Sequence, residues 1–424
     1  MTLSHRPTRR QIVQMGGAAL VSATAGGLSF PAIAQNKAKT LTLISERSNP
    51  NTRAALAAIA AAFEKQTGAT VTINNMDHEA HKTAIRNYLV TSPPDICFWF
   101  SGNRMRSFVK RGLFDDISDL FEREKYKDAL GYAAGAVTLD GKQWGLPLEA
   151  LPWGLFYRKD VFAEKGLNVP RTFEQFKAMG VKAKAAGLVP IAMGTKELWP
   201  AAGWFDHMNL RINGLDRHLA LMNGEMSYLD ASLAPVFDRW EELIRAGMFL
   251  PNGTSYGWQQ AAAFLVQKKA AMMDLGPFIA GVFPAEEKAQ IGFAAFPEIV
   301  PGVGPYEDLA YNSIHIPAKA ANKVLAREFL TFFYRPDNLA AFLKAESGLT
   351  PRIDMKVEPD PLLDQVRAEF KGVKGAAQYY DRDTDPDMAQ AGLNAFQEFS
   401  AAPERRKQIL ERLEGTRKRI FKVA

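Results

Sequence analysis

Several groups of residues in this chain have types and spacing that could do chemistry. Gly253-Thr254-Ser255-Tyr256-Gly257 fits G-x-S-x-G, the turn that presents a nucleophilic serine. Asp274 or Asp308, and then His315, follow in the order that such hydrolases use. The elbow needs a strand directly before it, however, and Met248-Phe249-Leu250-Pro251-Asn252 is interrupted by Pro251. A secreted serine hydrolase built on Ser255 therefore stands as the alternative, not the first reading. His78 and His81 share one helical face beside Asp77 and Glu79, which raises a metal site. The spacing is not that of H-E-x-x-H and no third ligand is apparent, so a solvated, charged helix start is the better reading.

The remaining candidates are binding groups, and they are spread over the ends of expected strands. Glu46-Arg47-Ser48-Asn49 follows one, Ser101-Gly102-Asn103 another, Trp199 and Trp204 a third, and Gly276-Pro277-Phe278 a fourth. In an open α/β sheet, ligands bind beyond the carboxyl ends of the strands. Flat aromatics cover apolar faces, and paired donors and acceptors hold polar rims. Trp240, spaced with Phe237 and Leu243, reads as core.

The elements that must position these groups alternate. Residues 40–45, 69–74 and 95–100 read as strands, the last apolar enough to be buried on both faces. Between them a helix over 52–67 carries Leu56, Ile59, Ala60 and Phe63 on one stripe and ends at Gly68. A second helix runs through His81, Ile85 and Leu89 to Pro93-Pro94. This βαβαβ order implies a parallel, doubly wound sheet. A second region has a helix opened by Thr172 with Gln175, strands at 188–193, 270–276, 290–296 and 312–317, and loops at 194–207 and 250–258. Helices at 320–334 and 336–346 follow, and residues 409–421 close the chain.

Length and composition bound the answer. The chain has 424 residues, 47% hydrophobic and 23% charged, which suits a globular protein of at least two domains. Its single cysteine, Cys97, excludes an intrachain disulfide or a multi-cysteine zinc site. Arg9-Arg10 precede an uncharged run that ends in Ala32-Ile33-Ala34, the pattern of a twin-arginine signal peptide cleaved after Ala34; a retained anchor is the alternative. Losing residues 1–34 removes Arg6, Arg9 and Arg10 and lowers the net charge from +6 to +3, too little for a nucleic-acid partner. No cofactor is implied.

Residues 62–71 (AFEKQTGATV), 94–96 (PDI), 141–167 (GKQWGLPLEALPWGLFYRKDVFAEKGL), 264–278 (FLVQKKAAMMDLGPF) and 347–351 (SGLTP) occur in an order that resembles the extracellular solute-binding proteins of ABC importers. The likeness is to the carbohydrate-binding, maltose-binding-protein-like group. It implies an α/β, two-lobed periplasmic binding protein (type II), each lobe a doubly wound sheet with flanking helices. It implies lobes of 35–148 with 311–350 and 149–310 with 351–424, ligand in the cleft, and hinge residues Leu148, Ala150 and Tyr311. The third crossing would fall at 350–353. It also implies a monomer that delivers a sugar to permease subunits. The ligand contacts it implies are Glu46, Asn49, Trp99, Asn103, Glu149, Trp199 and Trp204, with Trp258, Phe278, Tyr380 and Asp381 as weaker ones. Gly102-Asn103 and Ala310-Tyr311-Asn312-Ser313 depart from the group's pattern, which leaves polyamines, glycerol phosphates and oligopeptides as other ligands. Glu149→Ala is expected to weaken binding, and Trp144→Ala mainly folding.

Overall fold

The computed structural model describes residues 39–423. The expected export signal at 1–34 lies outside them. Among the described residues, twelve strands are numbered in chain order. They are β1 (Thr40–Ser45), β2 (Thr70–Asn75), β3 (Ile96–Phe100), β4 (Thr138–Leu139), β5 (Lys142–Gln143), β6 (Leu146–Pro152), β7 (Gly154–Arg158), β8 (Val189–Ile191), β9 (Ala270–Leu275), β10 (Ile291–Ala294), β11 (Tyr306–His315) and β12 (Gly375–Ala377).

The first sheet has the order β12-β11-β3-β1-β2, with β6 also pairing to β11. β1 lies parallel between β2 and β3, as the βαβαβ pattern requires. Every residue of β3 is buried, because helices cover both faces of the sheet. Cys97 sits in this strand, fully buried. The helix Pro50–Thr67 buries Leu56, Ile59, Ala60 and Phe63, and Gly68 ends it with a left-handed φ of 69°. Asp77 caps the helix His78–Thr91 by accepting from the Glu79 and Ala80 amides. Helices Lys323–Phe333 and Pro336–Glu346 complete this core, with Phe63 set edge-on to Phe329 at 5.2 Å.

The second sheet has the order β10-β7-β9-β8. β7 runs antiparallel to both β9 and β10, and β8 runs parallel to β9. Thr172 accepts from the Gln175 amide at 3.3 Å and opens the helix Phe173–Ala185. The Gln175 side chain reaches back to the Arg171 amide instead of the Thr172 amide, so the box is not reciprocal. Residues 200–207, expected as loop, form the start of the helix Pro200–Met222. Pro200 sits in the first turn of that helix, where a missing N–H costs nothing. Gly214 breaks that helix with φ 76° and ψ 177°.

Two hydrophobic cores result. One gathers residues from Leu41–Leu148 and Ile314–Leu343, the other from Leu151–Ala310 and Leu362–Leu413. β6 and β11 run between them as an antiparallel pair, with Tyr311 opposite Ala150 and Asn312 opposite Glu149. Leu349 adds a third crossing, exchanging both backbone hydrogen bonds with Ala150 at 2.9 and 3.1 Å. The strand expected at 312–317 is thus the end of the longer β11. Ile353 bonds the Ala129 carbonyl and Met355 packs on the first core. The sequence 141–162 mixes periodicities because it leaves one core along β6 and enters the other along β7. Among the described residues, no helix is long and apolar enough to cross a membrane.

Candidate functional site: a cleft between two cores

The turn after β1 places Glu46, Arg47, Ser48 and Asn49 in the lining of a cavity of about 170 Å³. Arg47 is buried and carries the polar side of the cleft floor. It donates to Glu149 Oε1 at 2.6 Å, to Glu149 Oε2 at 3.3 Å and to Glu346 Oε1 at 3.2 Å. Its guanidinium lies 5.4 and 5.5 Å from the Phe98 and Phe342 ring centres. Burial alone would weaken its hold on the proton, but Glu149, Glu346 and Glu46 outweigh that, and its pKa is raised. Burial pushes Glu346 up to about 7, against the pull of Arg47. Asn312, on β11, donates to Glu149, and Thr52 donates to Glu346 at 2.6 Å. The network therefore ties β1, β6, β11 and the helix Pro336–Glu346 together.

A second polar group stands at Asp381 and Arg382. Arg104 donates to the Asp381 carbonyl at 2.6 Å and reaches its carboxylate at 3.4 Å, while Lys82 lies 3.8 Å away. Burial works against the Asp381 charge, yet these cations win and hold its pKa down. The Arg382 guanidinium lies 4.4 Å over Phe100 and donates to the Tyr311 carbonyl. His78 is about a third exposed. Desolvation and the nearby Lys82 and Arg382 drive its pKa well below the ordinary value.

The opposite wall is aromatic. Trp153 stacks on Tyr379 at 4.2 Å and meets Trp199 edge-on at 5.8 Å. Trp258 stands edge-on to Phe278 at 5.2 Å. The Tyr379 hydroxyl donates to the Trp199 carbonyl and accepts from the Gly203 amide at 2.9 Å, so its ring is fixed. Among the described residues, Glu46 Oε2, Arg47 Nε, Trp199 Nε1, Asn312 Oδ1 and Arg382 Nε line this cleft buried and without a protein partner. Buried polar groups of this kind are costly unless something pairs with them.

Of the residues expected to touch ligand, Glu46, Asn49, Trp199, Trp258, Phe278 and Asp381 come together in this lining. The others lie off it. Trp99 is buried in the first core, stacked on Phe108 at 5.3 Å. Asn103 donates to the Asp383 carbonyl at 2.5 Å. Glu149 is fully buried behind Arg47 and Asn312. Trp204 lies in the second core, against Phe249 and Phe296, because it sits on a helix and not on a loop. Tyr380 is buried with its hydroxyl on Tyr228 at 2.5 Å. Its neighbour Tyr379 lines the cleft instead. Trp153, Asn312, Lys82, Arg382, His78 and Phe100 also line it and were not singled out as ligand contacts. Trp153 carried a signal, since it directly follows the crossing.

The other motifs do not assemble. Ser255 ends an exposed 3-10 turn, Gly253–Ser255, with no strand leading into it. His315 is engaged elsewhere, between Ser313 Oγ at 2.7 Å and the Trp144 carbonyl at 2.6 Å, and stacked on Phe114. The histidine helix start is not fully solvated either. His81 is buried and its Nε2 lies 3.0 Å from the Phe98 carbonyl. Among the described residues, no cluster of His, Cys, Asp or Glu could hold a metal ion.

Comparison with known proteins gives a consistent result. A family model described as bacterial extracellular solute-binding protein matches residues 49–340. The crystal structure of the bacterial solute receptor AcbH, described as having an exclusive preference for β-D-galactopyranose, superposes with a TM-score of 0.86 at 34% identity. That match covers 90% of this chain and 99% of that one. An uncharacterized ABC transporter extracellular-binding protein of Pyrococcus horikoshii is 26% identical over 65% of this chain and 62% of its own length. The alpha-glucosides-binding periplasmic protein AglE of Rhizobium meliloti is 23% identical over 63% of this chain. The aligned region spans 62% of the length of each of these two curated relatives.

Proposed function

We propose a function from one premise: the chain belongs to the family of bacterial extracellular solute-binding proteins. Its two-lobed fold is that of a binding protein, not an enzyme. The chain captures a neutral sugar in the cleft, outside the cytoplasmic membrane, and delivers it to the permease subunits of an ABC importer as the lobes close. The observation that carries this reading is the facing of two unlike walls. Trp153, Trp199, Trp258, Phe278 and Tyr379 offer rings for the C–H faces of a sugar. Glu46, Asn49, Lys82, Asn312, Asp381 and Arg382 offer donors and acceptors for its hydroxyls. An affinity near ~1 μM needs only about −8 kcal/mol, within reach of such contacts. The sugars named for AcbH and AglE support the same class.

The cleft's charges favour a neutral ligand over the alternatives. Arg47, Lys82 and Arg382 line it, and so do Glu46, Glu346 and Asp381. Each cation already lies within 4 Å of a carboxylate. Lys82 and Arg382 share Asp381, but over the whole lining three cations face three carboxylates, a balance that suits a neutral ligand better than a glycerol phosphate or a polyamine.

Of the contacts that the resemblance implies, Glu46, Asn49, Trp199, Trp258, Phe278 and Asp381 keep direct contact, beside Trp153, Tyr379, Lys82, Asn312 and Arg382, whereas Glu149 acts by positioning Arg47 and Asn312. The lobes divide at the Leu148–Ala150 and Tyr311 crossings, with Ile353 and Met355 still leaning on the first core. Export follows the twin-arginine route with cleavage after Ala34, and the mature protein works as a monomer. A thermal-shift screen of sugars, polyamines and glycerol phosphates tests the reading, since a ligand of the native state raises the melting temperature. A shift with a sugar is expected. A shift with an amine or a phosphate and none with any sugar would overturn it.

A further inference from the structure

The cleft has a floor and a rim that differ in exposure. Glu46, Arg47, Trp153, Trp199, Asn312 and Tyr379 are buried on the floor, and Ser48, Pro50, Gln259 and Gly281 are exposed at the rim. Asn49 also stands at the rim, half-buried, and its side chain is committed at one end. Oδ1 accepts from the Asn51 amide at 3.0 Å and so caps the helix Pro50–Thr67. That bond fixes the carboxamide and leaves Nδ2 as its free end. Across the rim stands Gly281, in the turn Pro277–Gly281 that follows β9 of the other lobe.

A Cβ built on Gly281 would overlap Asn49 Nδ2 and lie 3.1 Å from its Cγ. Gly281 is not among the glycines with left-handed φ, so its backbone does not demand glycine. An added Cβ would have to push the end of the Asn49 side chain aside. The two lobes thus touch directly over the cavity, through a side chain that is held and a residue with none. Beneath them, the cavity of about 170 Å³ is smaller than the roughly 300–1,000 Å³ of pockets for drug-sized ligands. Five residues of its lining keep a buried polar atom without a protein partner, two acceptors on Glu46 and Asn312 and three donors on Arg47, Trp199 and Arg382.

We propose that Asn49 and Gly281 form a rim clasp that sizes the site, so that the ligand is a single neutral sugar ring and a longer saccharide is refused. This rests on the sugar reading above. A second ring linked to the first must leave through the rim, where it would lift Nδ2 off Gly281 and hold the lobes apart.

Isothermal titration calorimetry on the mature chain tests this, with D-galactose against lactose and D-glucose against maltose. Asn49→Ser keeps a capping oxygen but loses the reach of the amide. Gly281→Ala keeps the amide and adds the obstructing Cβ. The wild type is expected to bind a monosaccharide at least about tenfold more tightly than the matching disaccharide, or about 1.4 kcal/mol. Asn49→Ser is expected to shrink that ratio, and Gly281→Ala to weaken monosaccharide binding by about tenfold at unchanged melting temperature. A wild type that holds the disaccharide as tightly as the monosaccharide overturns the clasp and leaves the sugar reading standing. So does an unchanged ratio in Asn49→Ser. If Asn49→Ser does not fold, an unchanged monosaccharide affinity in Gly281→Ala overturns the clasp by itself. Absence of binding for every sugar overturns the sugar reading and the clasp with it.

Discussion

Arg47 and Trp153 line the same cleft, one from each core, and they are held in different ways. Arg47 is fixed by charge, with carboxylates from Glu149 and Glu346 on one side and the faces of Phe98 and Phe342 beside it. Trp153 is fixed by packing, between Tyr379 and Trp199. The charged side is coupled to the crossing strands, since Glu149 lies on β6 and its other partner Asn312 on β11. The aromatic side is coupled to the second core, through the Tyr379 hydroxyl and the Trp199 carbonyl. Changes on the charged side should therefore move folding and binding together. Changes at the outer edge of the aromatic side should move binding alone.

The sharpest way to break this contrast is Arg47→Met. It leaves Glu149 and Glu346 buried without a counter-charge, and the expected loss is about 3–5 kcal/mol of stability, with ligand binding lost as well. Urea unfolding reads it, and a midpoint near that of the wild type would mean the network is not structural.

Next comes the pH response, which belongs to the charged side. Burial raises the folded pKa of Glu346 to about 7, above the usual carboxylate value near 4.5. The native state then binds the proton more tightly than the unfolded chain. That contribution is full below about pH 4.5 and is lost as pH rises through about 7. Asp383, also pushed up to about 7 by burial, acts in the same direction. Melting temperature is expected to fall from pH 5 to pH 8, and less steeply in Glu346→Gln; identical slopes in the two proteins would remove Glu346 from the account.

Trp258→Ala probes the other wall. Trp258 is half-buried at its outer edge and meets Phe278 and Trp199. Calorimetry is expected to show affinity roughly two- to tenfold weaker, as one lost ring contact of ~0.5–1.5 kcal/mol implies, while the melting temperature barely moves. A large fall in stability with intact affinity would reverse the assignment. The smallest effect is expected far from both walls. Arg171, exposed and paired with Glu369 at 2.8 Å, should cost under ~1 kcal/mol as Arg171→Ala and leave binding untouched.

Local signals in the sequence reached the elements better than the site. β1 runs from Thr40 to Ser45 and a helix from Pro336 to Glu346, both as their periodicity and Pro336 indicate. The pairing of β6 with β11 was not legible, because it joins residues about 160 apart and the strand hydrogen bonds leave no local pattern. The burial of Trp204 was missed because Pro200 reads equally as a breaker or as a first helical residue. Tyr380 and Tyr379 differ by one position, and only the tertiary packing decides which of the two rings faces the cleft. Glu149 was marked by its place at the crossing, but a sequence cannot say whether a carboxylate there meets a ligand or an arginine.

Cys97 offers a practical handle. It is the chain's one cysteine, it lies fully buried in β3, and burial raises its thiol pKa well above the ordinary value. The thiolate that reacts with maleimides or dithiobisnitrobenzoate is therefore scarce and shielded while the protein is folded. Dye-labelling cysteines can be introduced at exposed positions on each lobe without removing the native one. A fluorophore pair placed this way would report the distance between lobes during titration, and Cys97 itself would signal only when the first core opens.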